Sequence, residues 1–328
     1  MQVIDDLDQA NLDRDTILTI GSFDGVHRGH QHLIGQVLRR ARETGLSAGL
    51  ITFYPRPAAV LAPRDAPPNL TPLGVKIALL KKLGLDLVAV LPFNRHVAQT
   101  SARGFMTTIK RRLRLSELWV GTDFALGRSR EGNLPLLQAL GQEMGFRVAT
   151  VEPLAWGGEV ISSSRIRRCL AAGQVRQAAA LLGRYASLSG EVVPGARRGH
   201  RLGFPTANLE VRADRAVPAN GVYAGYATLG RVRHLSVVNV GVRPSFEDGE
   251  RIVETHILDF DQDIYGLDLV VEFVERLRDE RRFEDLDDLI AQIERDIDRA
   301  RHVLTGTPRS LVQRAPSPIA KGEQPCGS

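Results

Sequence analysis

A chain of 328 residues exceeds what one ordinary hydrophobic core serves, which points to two domains and a short tail. Apolar residues make up 43% with no run near the ~20 residues that cross a bilayer, which excludes a membrane span, and the acidic amino terminus lacks the basic-then-apolar pattern of a secretory signal, so a cytoplasmic protein is expected. The formal charge of +5 suits anionic partners, but Lys and Arg are mixed with acids and aromatics total only 5%; nucleotide phosphates fit this balance, and a nucleic-acid-binding stripe is not expected.

From Ile17 to Gly183, short β-rich runs alternate with helical patterns. The strands are "ILTIG", "SAGLITFY", "LDLVAVLPF", "ELWVG" and "FRVATVE". The helices between them are "HQHLIGQVLRRARETG", "TPLGVKIALLKKLG" with Thr71 as N-cap and Pro72 as first helical residue, "SARGFMTTIKRRLR", and "LPLLQALGQEMG" ending at Gly145. Such alternation predicts a parallel α/β sheet that binds ligands at the carboxyl ends of its strands. Residues 1–183 are assigned to this domain.

Beyond it the pattern changes to short strands broken by Gly, Pro and Asn, from "GEVVPG" to "LDLVVEFVERL", which predicts an antiparallel barrel or sandwich over residues 184–305. A last helix begins near Phe283 with an apolar stripe of Leu286, Leu289, Ile290, Ile293, Ile297 and Ala300. Residues 306–328 are poor in apolar residues and are expected to be disordered. The two cysteines, Cys169 and Cys326, are far apart with no CxxC, so neither a disulfide framework nor a thiolate zinc site is encoded.

The stretch "GSFDGVHRGH", Gly21 to His30, sits between a strand and a helix. Its histidines could bind a metal, but no Cys, Asp or Glu completes a ligand spacing nearby. A phosphate turn explains it better. A helix amino terminus offers free N–H groups and a positive dipole end, Gly29 permits close backbone approach, and imidazoles donate to charge developing on oxygen. Ser162, Ser163 and Ser164 in "ISSSRIR" place hydroxyls at a helix start, with Arg167 able to grip a phosphate bidentately.

The Gly21–His30 stretch resembles the His-x-Gly-His signature of nucleotidylyltransferases, and in its ten-residue form that of bacterial bifunctional riboflavin kinase/FMN adenylyltransferases. "TFYPRP", "VGTDFALG" and "ISSSRIR" follow in that family's order, and "GFPTAN" resembles its riboflavin kinase signature, with "NGVYAG", "NVGVRPSF", "ETHILDF" and "IYGLDLVVEF" behind it. The resemblance implies a Rossmann-like domain with a parallel sheet followed by an antiparallel β-barrel with a carboxy-terminal helix. It implies two reactions: phosphorylation of riboflavin by ATP in the second domain, and adenylylation of FMN to FAD with loss of pyrophosphate in the first.

By the same resemblance, His27, His30 and Arg167 serve adenylyl transfer, and Glu254 is the kinase base. Gly21, Phe23, Asp24, Gly25, Gly29, Ser162, Ser163, Ser164, Gly199, Gly203, Pro205 and Thr206 hold nucleotide phosphates. Asp123, Phe124, Arg243, Arg278 and Phe283 lie near flavin. Thr206 and Asn208, hard oxygen donors, take the Mg²⁺ that arrives with ATP. Departures are visible: Ser22 stands for Asn, Ser164 and Ser245 for Thr, and Leu126 for Phe. Two alternatives stay open, loss of one activity and a flavin-binding or flavin-sensing protein without turnover, and the oligomeric state is left undetermined.

Overall fold

The computed structural model describes residues 1–195, 202–242 and 251–306. Gly199, Arg243, Ser245 and the tail beyond Gly306 lie outside the described residues. Two compact units form, one of Met1–Pro67 and Thr71–Ser162, the other of Pro68–Leu70 and Ser163 onward.

The first unit runs β1 (Gln2–Ile4), β2 (Thr16–Ile20), α1 (Arg28–Thr44), β3 (Ser47–Tyr54), α2 (Pro57–Leu61), α3 (Leu73–Leu83), β4 (Leu87–Pro92), α4 (Arg95–Ala98), α5 (Ala102–Arg112), β5 (Leu115–Gly121), α6 (Leu134–Met144) and β6 (Arg147–Val151). A small hairpin, β7 (Ala155–Trp156) and β8 (Glu159–Val160), follows. The six long-sheet strands are parallel in the order β1-β4-β3-β2-β5-β6. All five residues of β2 are buried, as a central parallel strand requires. Ile17 faces a core shared with Ile34 and Val37 of α1 and Leu80 of α3, whereas Leu18 and Ile20 face Met106 and Ile109 of α5 and Leu137 and Leu140 of α6. The sheet is therefore covered on both faces.

Chain order reverses at β2. The chain lays β3 and β4 to one side of β2, then crosses to place β5 and β6 on the other. The crevice at the carboxyl ends of β2 and β5 is a topological switch point, where open α/β sheets bind ligands. The turn after β2 and the loop after β5 flank it.

The structure adds one element to the sequence reading and corrects one cap. The three-residue β1 is too short to show a period and escapes sequence reading, yet pairs with β4 at the sheet edge. Thr71 does not cap α3: Pro72 holds that position without a side-chain bond, and the Thr71 hydroxyl instead accepts the Gly25 N–H at 3.2 Å. A backbone donor in a tight turn competes better for that oxygen than a helix start that proline has already stiffened.

The second unit begins with α7 (Ser163–Ala171) and α8 (Val175–Leu182) and continues with β9 (Ala186–Val193), β10 (Ala207–Leu209), β11 (Gly221–Leu229), β12 (Val232–Val242), β13 (Arg251–Ile257), β14 (Asp268–Arg278) and α9 (Leu286–Gly306). The six strands close a barrel in the order β10-β13-β12-β11-β14-β9, every pair antiparallel. Val222, Ala224, Val274 and Leu277 pack under Ala300 and Leu304 of α9 and so lie on the outer wall. Strand alternation then sends Tyr223 and Phe273 inward, where their rings meet edge to face at 5.4 Å. Leu286, the first residue of the expected apolar stripe, is 56% exposed; the stripe instead runs on to Leu304.

Candidate functional site

Between β2 and α1 the backbone is forced into unusual conformations. Phe23, Gly25 and Val26 have φ of +47°, +87° and +39°. For Phe and Val each such residue costs on the order of 1–3 kcal/mol, which the surroundings must offset. They do so with buried polar bonds. The Asp24 carboxylate accepts from Thr71 N at 3.3 Å and from Arg56 Nη1 at 3.2 Å. The Lys76 ammonium, from α3, donates to the Ser22 carbonyl at 3.2 Å and to the Thr52 hydroxyl at 3.0 Å. Arg56 also donates to the Pro67 carbonyl.

The turn delivers two imidazoles to the start of α1. His27 is the N-cap, its Nδ1 accepting from the His30 N–H at 3.3 Å. An accepting Nδ1 leaves the proton on Nε2 of neutral His27. The two rings stack with centroids 3.6 Å apart, and the Phe23 ring meets His30 edge-on at 5.0 Å. Burial, the neighbouring His27 and the Lys76 ammonium together push the His30 pKa well below the usual histidine value, so its imidazole is neutral at pH 7. Its Nδ1 is buried without a hydrogen-bond partner. Gly29 is needed for close packing: a Cβ there would come within 3.1 Å of the His27 ring and of the Ile161 carbonyl.

Of the residues read from sequence, Gly21, Phe23, Asp24, Gly25, His27, Gly29 and His30 are brought together here. Arg28, the first residue of α1, is buried with its guanidinium 5.6 Å from the centre of the Trp156 ring. Arg56 and Lys76 were not singled out by sequence reading, and Thr71 was read only as a helix cap. Their signal was weak: Lys76 is one of three lysines in an otherwise ordinary helix.

After β5, Asp123 is exposed, its carbonyl accepting from Arg130 Nη2 at 3.2 Å, and Phe124 packs against the core beneath. Nearby lies a cavity of about 390 Å³ whose lining includes Phe53, Phe93, Phe105, Leu126 and Arg128. Its three phenylalanines come from three different segments, which is why sequence reading did not group them. Ser162 ends the first unit. Ser163 and Ser164 form the first turn of α7 in the second unit, and Arg167 Nε there donates to the Pro68 carbonyl at 2.7 Å.

In the barrel, strand register builds a row. Glu254 of β13 stands opposite Asn208 of β10 on one side and Asn239 of β12 on the other. Their neighbours Val253 and Thr255 are buried, so this row faces outward. His256, next on the same face, donates from Nδ1 to the Pro205 carbonyl at 2.7 Å, and its ring meets Phe204 edge-on at 5.9 Å. That bond holds the chain entering Thr206. Thr206 and Pro205 line a second cavity, of about 560 Å³, with Thr255, Phe260, Asp263 and Tyr265. His256 and the Phe260–Tyr265 segment were missed; "DFDQDIY" carries acids and aromatics but no spacing that identifies a pocket.

Thr206 and Asn208 carry two neutral side-chain oxygens on alternate positions, with Ala207 between them. Among the described residues no group of three His, Cys, Asp or Glu could cage an ion. Such a donor pair fits Mg²⁺ that arrives with phosphates and keeps its waters. Arg278 and Phe283 are brought close, the guanidinium 5.7 Å from the ring centre, but Arg278 is tied to Asp296 of α9 at 2.9 Å. Gly203 sits in a turn at φ +84°.

A doubly wound unit with stacked imidazoles at its switch point, followed by a barrel carrying a carboxylate between two amides, defines a two-part nucleotide-binding protein. Residues 9–165 match the FAD synthetase family and residues 182–304 the riboflavin kinase family. The bifunctional riboflavin kinase/FMN adenylyltransferase of Escherichia coli (strain K12) is 39% identical over 282 residues, spanning 85% of this chain and 90% of its own. That of Haemophilus influenzae is 37% identical over 306 residues, spanning 92% and 98%. Among solved structures, one described as a macrolide-efflux protein from Streptococcus pneumoniae superposes with a TM-score of 0.84 at 29% identity, over 92% of this chain and 98% of that one. Among the described residues no helix is long and apolar enough to cross a membrane. The chain belongs to the bifunctional riboflavin kinase/FMN adenylyltransferase family.

Proposed function

We propose that this chain carries out both activities of its family with the residues described above. It phosphorylates riboflavin to FMN with ATP in its carboxy-terminal domain, and transfers the adenylyl group of a second ATP to FMN in its amino-terminal domain, releasing pyrophosphate. We place the division between the two domains at residues 183 and 184, and the protein in the cytoplasm.

In adenylyl transfer the FMN phosphate oxygen attacks the α-phosphorus of ATP, and the bond to the pyrophosphate oxygen breaks. The protein's part is to align two anions and to meet charge as it develops. The observation that carries this reading is the stacked His27–His30 pair at the start of α1, at the sheet's switch point. Nε2–H of a neutral imidazole and the positive end of the α1 dipole both favour phosphate oxygen, and they require no proton to be lost or gained during reaction. The hydroxyls of Ser163 and Ser164 and the guanidinium of Arg167 are donors of the kind that a leaving pyrophosphate takes. The aromatic cavity lined by Phe53, Phe93 and Phe105 suits the flat isoalloxazine of FMN.

In the kinase reaction Glu254 accepts the proton of the ribityl 5′-hydroxyl as that oxygen attacks the γ-phosphorus. The Thr206 hydroxyl and the Asn208 carbonyl oxygen would hold Mg²⁺, which when bound neutralises phosphate charge. Asn208, directly across from Glu254, places that charge beside the base. The cavity beside Thr206 has the size and polarity of a nucleotide site.

The test is a timed chromatographic assay with riboflavin, ATP and Mg²⁺, under oxidising and reducing conditions. FMN is expected first and FAD later. Glu254→Gln should block use of riboflavin yet convert supplied FMN, and His30→Ala should stop at FMN. A wild-type protein that binds flavin but yields neither product would make it a flavin-binding protein; one that stops at FMN would make it a kinase alone.

A further inference from the structure

Lys76 is the one lysine buried to 4% exposure among the described residues, and the roles assigned above do not use it. It lies in α3, with its ammonium bonded to the Ser22 carbonyl and the Thr52 hydroxyl, and Thr52 itself donates to the Ser22 carbonyl at 3.1 Å. Both donors converge on the residue that precedes the strained Phe23. The charged and titratable groups that face the ammonium are Asp24 from the turn, Arg56 from the segment after β3 and the neutral His30 from α1. At pH 7 two cations thus share one carboxylate beneath a turn whose imidazole is held neutral. Arg56 Nε is buried there without a hydrogen-bond partner. A buried excess of positive charge with spare donors is costly unless an anion completes it.

We propose that Lys76 is a positioning residue for adenylyl transfer, fixing the entry of the Gly21–His30 turn through Ser22 and supplying, with Arg56, the buried positive charge towards which the ATP phosphates are drawn. The inference rests on the reading of the first unit as the adenylyltransferase. Its chemistry requires the ammonium form, which both donates to Ser22 and repels a proton from His30. Burial lowers the Lys76 pKa to about 8, Asp24 partly offsetting and Arg56 reinforcing the effect. The charge is therefore present at pH 7 and lost as pH rises through about 8.

The full-length protein contains its own control, because riboflavin phosphorylation reports on the other unit in the same tube. The rate of FAD formation from FMN is expected to fall above pH ~8 in wild type while FMN formation continues. Lys76→Met should lower FAD formation by about 100-fold, the scale of a misplaced catalytic group, with no alkaline fall in what remains. In the same variant, NMR titration of the His30 ring should move towards the ordinary histidine value. Lys76→Arg, which keeps its charge at all accessible pH, should move the alkaline fall upwards.

Two results would overturn the proposal: FAD formation in wild type that is flat through this range, or a Lys76→Met protein with wild-type unfolding midpoint and wild-type rate. The first needs no variant, so the proposal stays testable if Lys76→Met does not fold. A wild-type protein that makes no FAD at all would instead remove the adenylyltransferase reading itself.

Discussion

His30 shows how one residue can be set by its neighbours. Its imidazole is kept neutral by burial, then by His27 stacked on it and by Lys76 behind it. In the unfolded chain the same group takes up a proton near pH 6.5. The folded protein therefore binds fewer protons than the unfolded one below that pH, and stability must fall on acidification. Each tenfold lowering of proton affinity in the fold corresponds to about 1.4 kcal/mol lost when the pH drops through the interval. Urea unfolding of wild type should show a larger drop between neutral and mildly acid pH than that of His30→Gln. Equal drops would mean that His30 is not held neutral.

At the scale of elements, α1 begins where it does because His27 caps it and Gly29 leaves room for the capping ring. Gly29→Ala would put a methyl 3.1 Å from both the His27 ring and the Ile161 carbonyl, which cannot both recede. We expect this variant to lose FAD formation by at least about 10-fold while still making FMN, since the displaced ring misaligns the donors. On the barrel, α9 is fastened by a buried ion pair. Asp296 accepts from Arg278 and from Gln292 at 2.8 Å, and it is only 5% exposed. Asp296→Ala leaves a partly buried guanidinium without its acid and should cost about 2 kcal/mol of stability, read from denaturant midpoints. Because Arg278 also reaches the Phe283 ring, the same variant tests whether that pair contributes to riboflavin binding: a raised KM for riboflavin is expected.

For the whole molecule, Glu254 belongs to the barrel unit and His30 to the sheet unit. A mixture of Glu254→Gln and His30→Ala proteins should form FAD from riboflavin, although neither does so alone. Chromatography of the mixture checks this, with free FMN as the species that passes between molecules. Failure of the mixture, with each single activity intact, would mean that FMN does not leave the protein in which it was made.

The sequence by itself determined the fold class and the family, and it named the residues of two candidate sites. Alternation of apolar runs reports burial on one or both faces, and the contiguous turns Gly21–His30 and Gly203–Asn208 carry their chemistry in adjacent residues. Thr71 as a helix cap and Leu286 as a buried stripe residue were misread because local pattern cannot say which competing partner wins. Tertiary structure alone decided that Lys76 and Arg56 lie beneath the Gly21–His30 turn, that Phe53, Phe93 and Phe105 share a cavity, and that Glu254 stands between Asn208 and Asn239. These groups are separated by 12 to more than 50 positions and meet only through parallel crossovers or strand register. Local sequence specifies the period of an element and the chemistry of a turn, whereas neighbours across a sheet are set by the packing of the whole core.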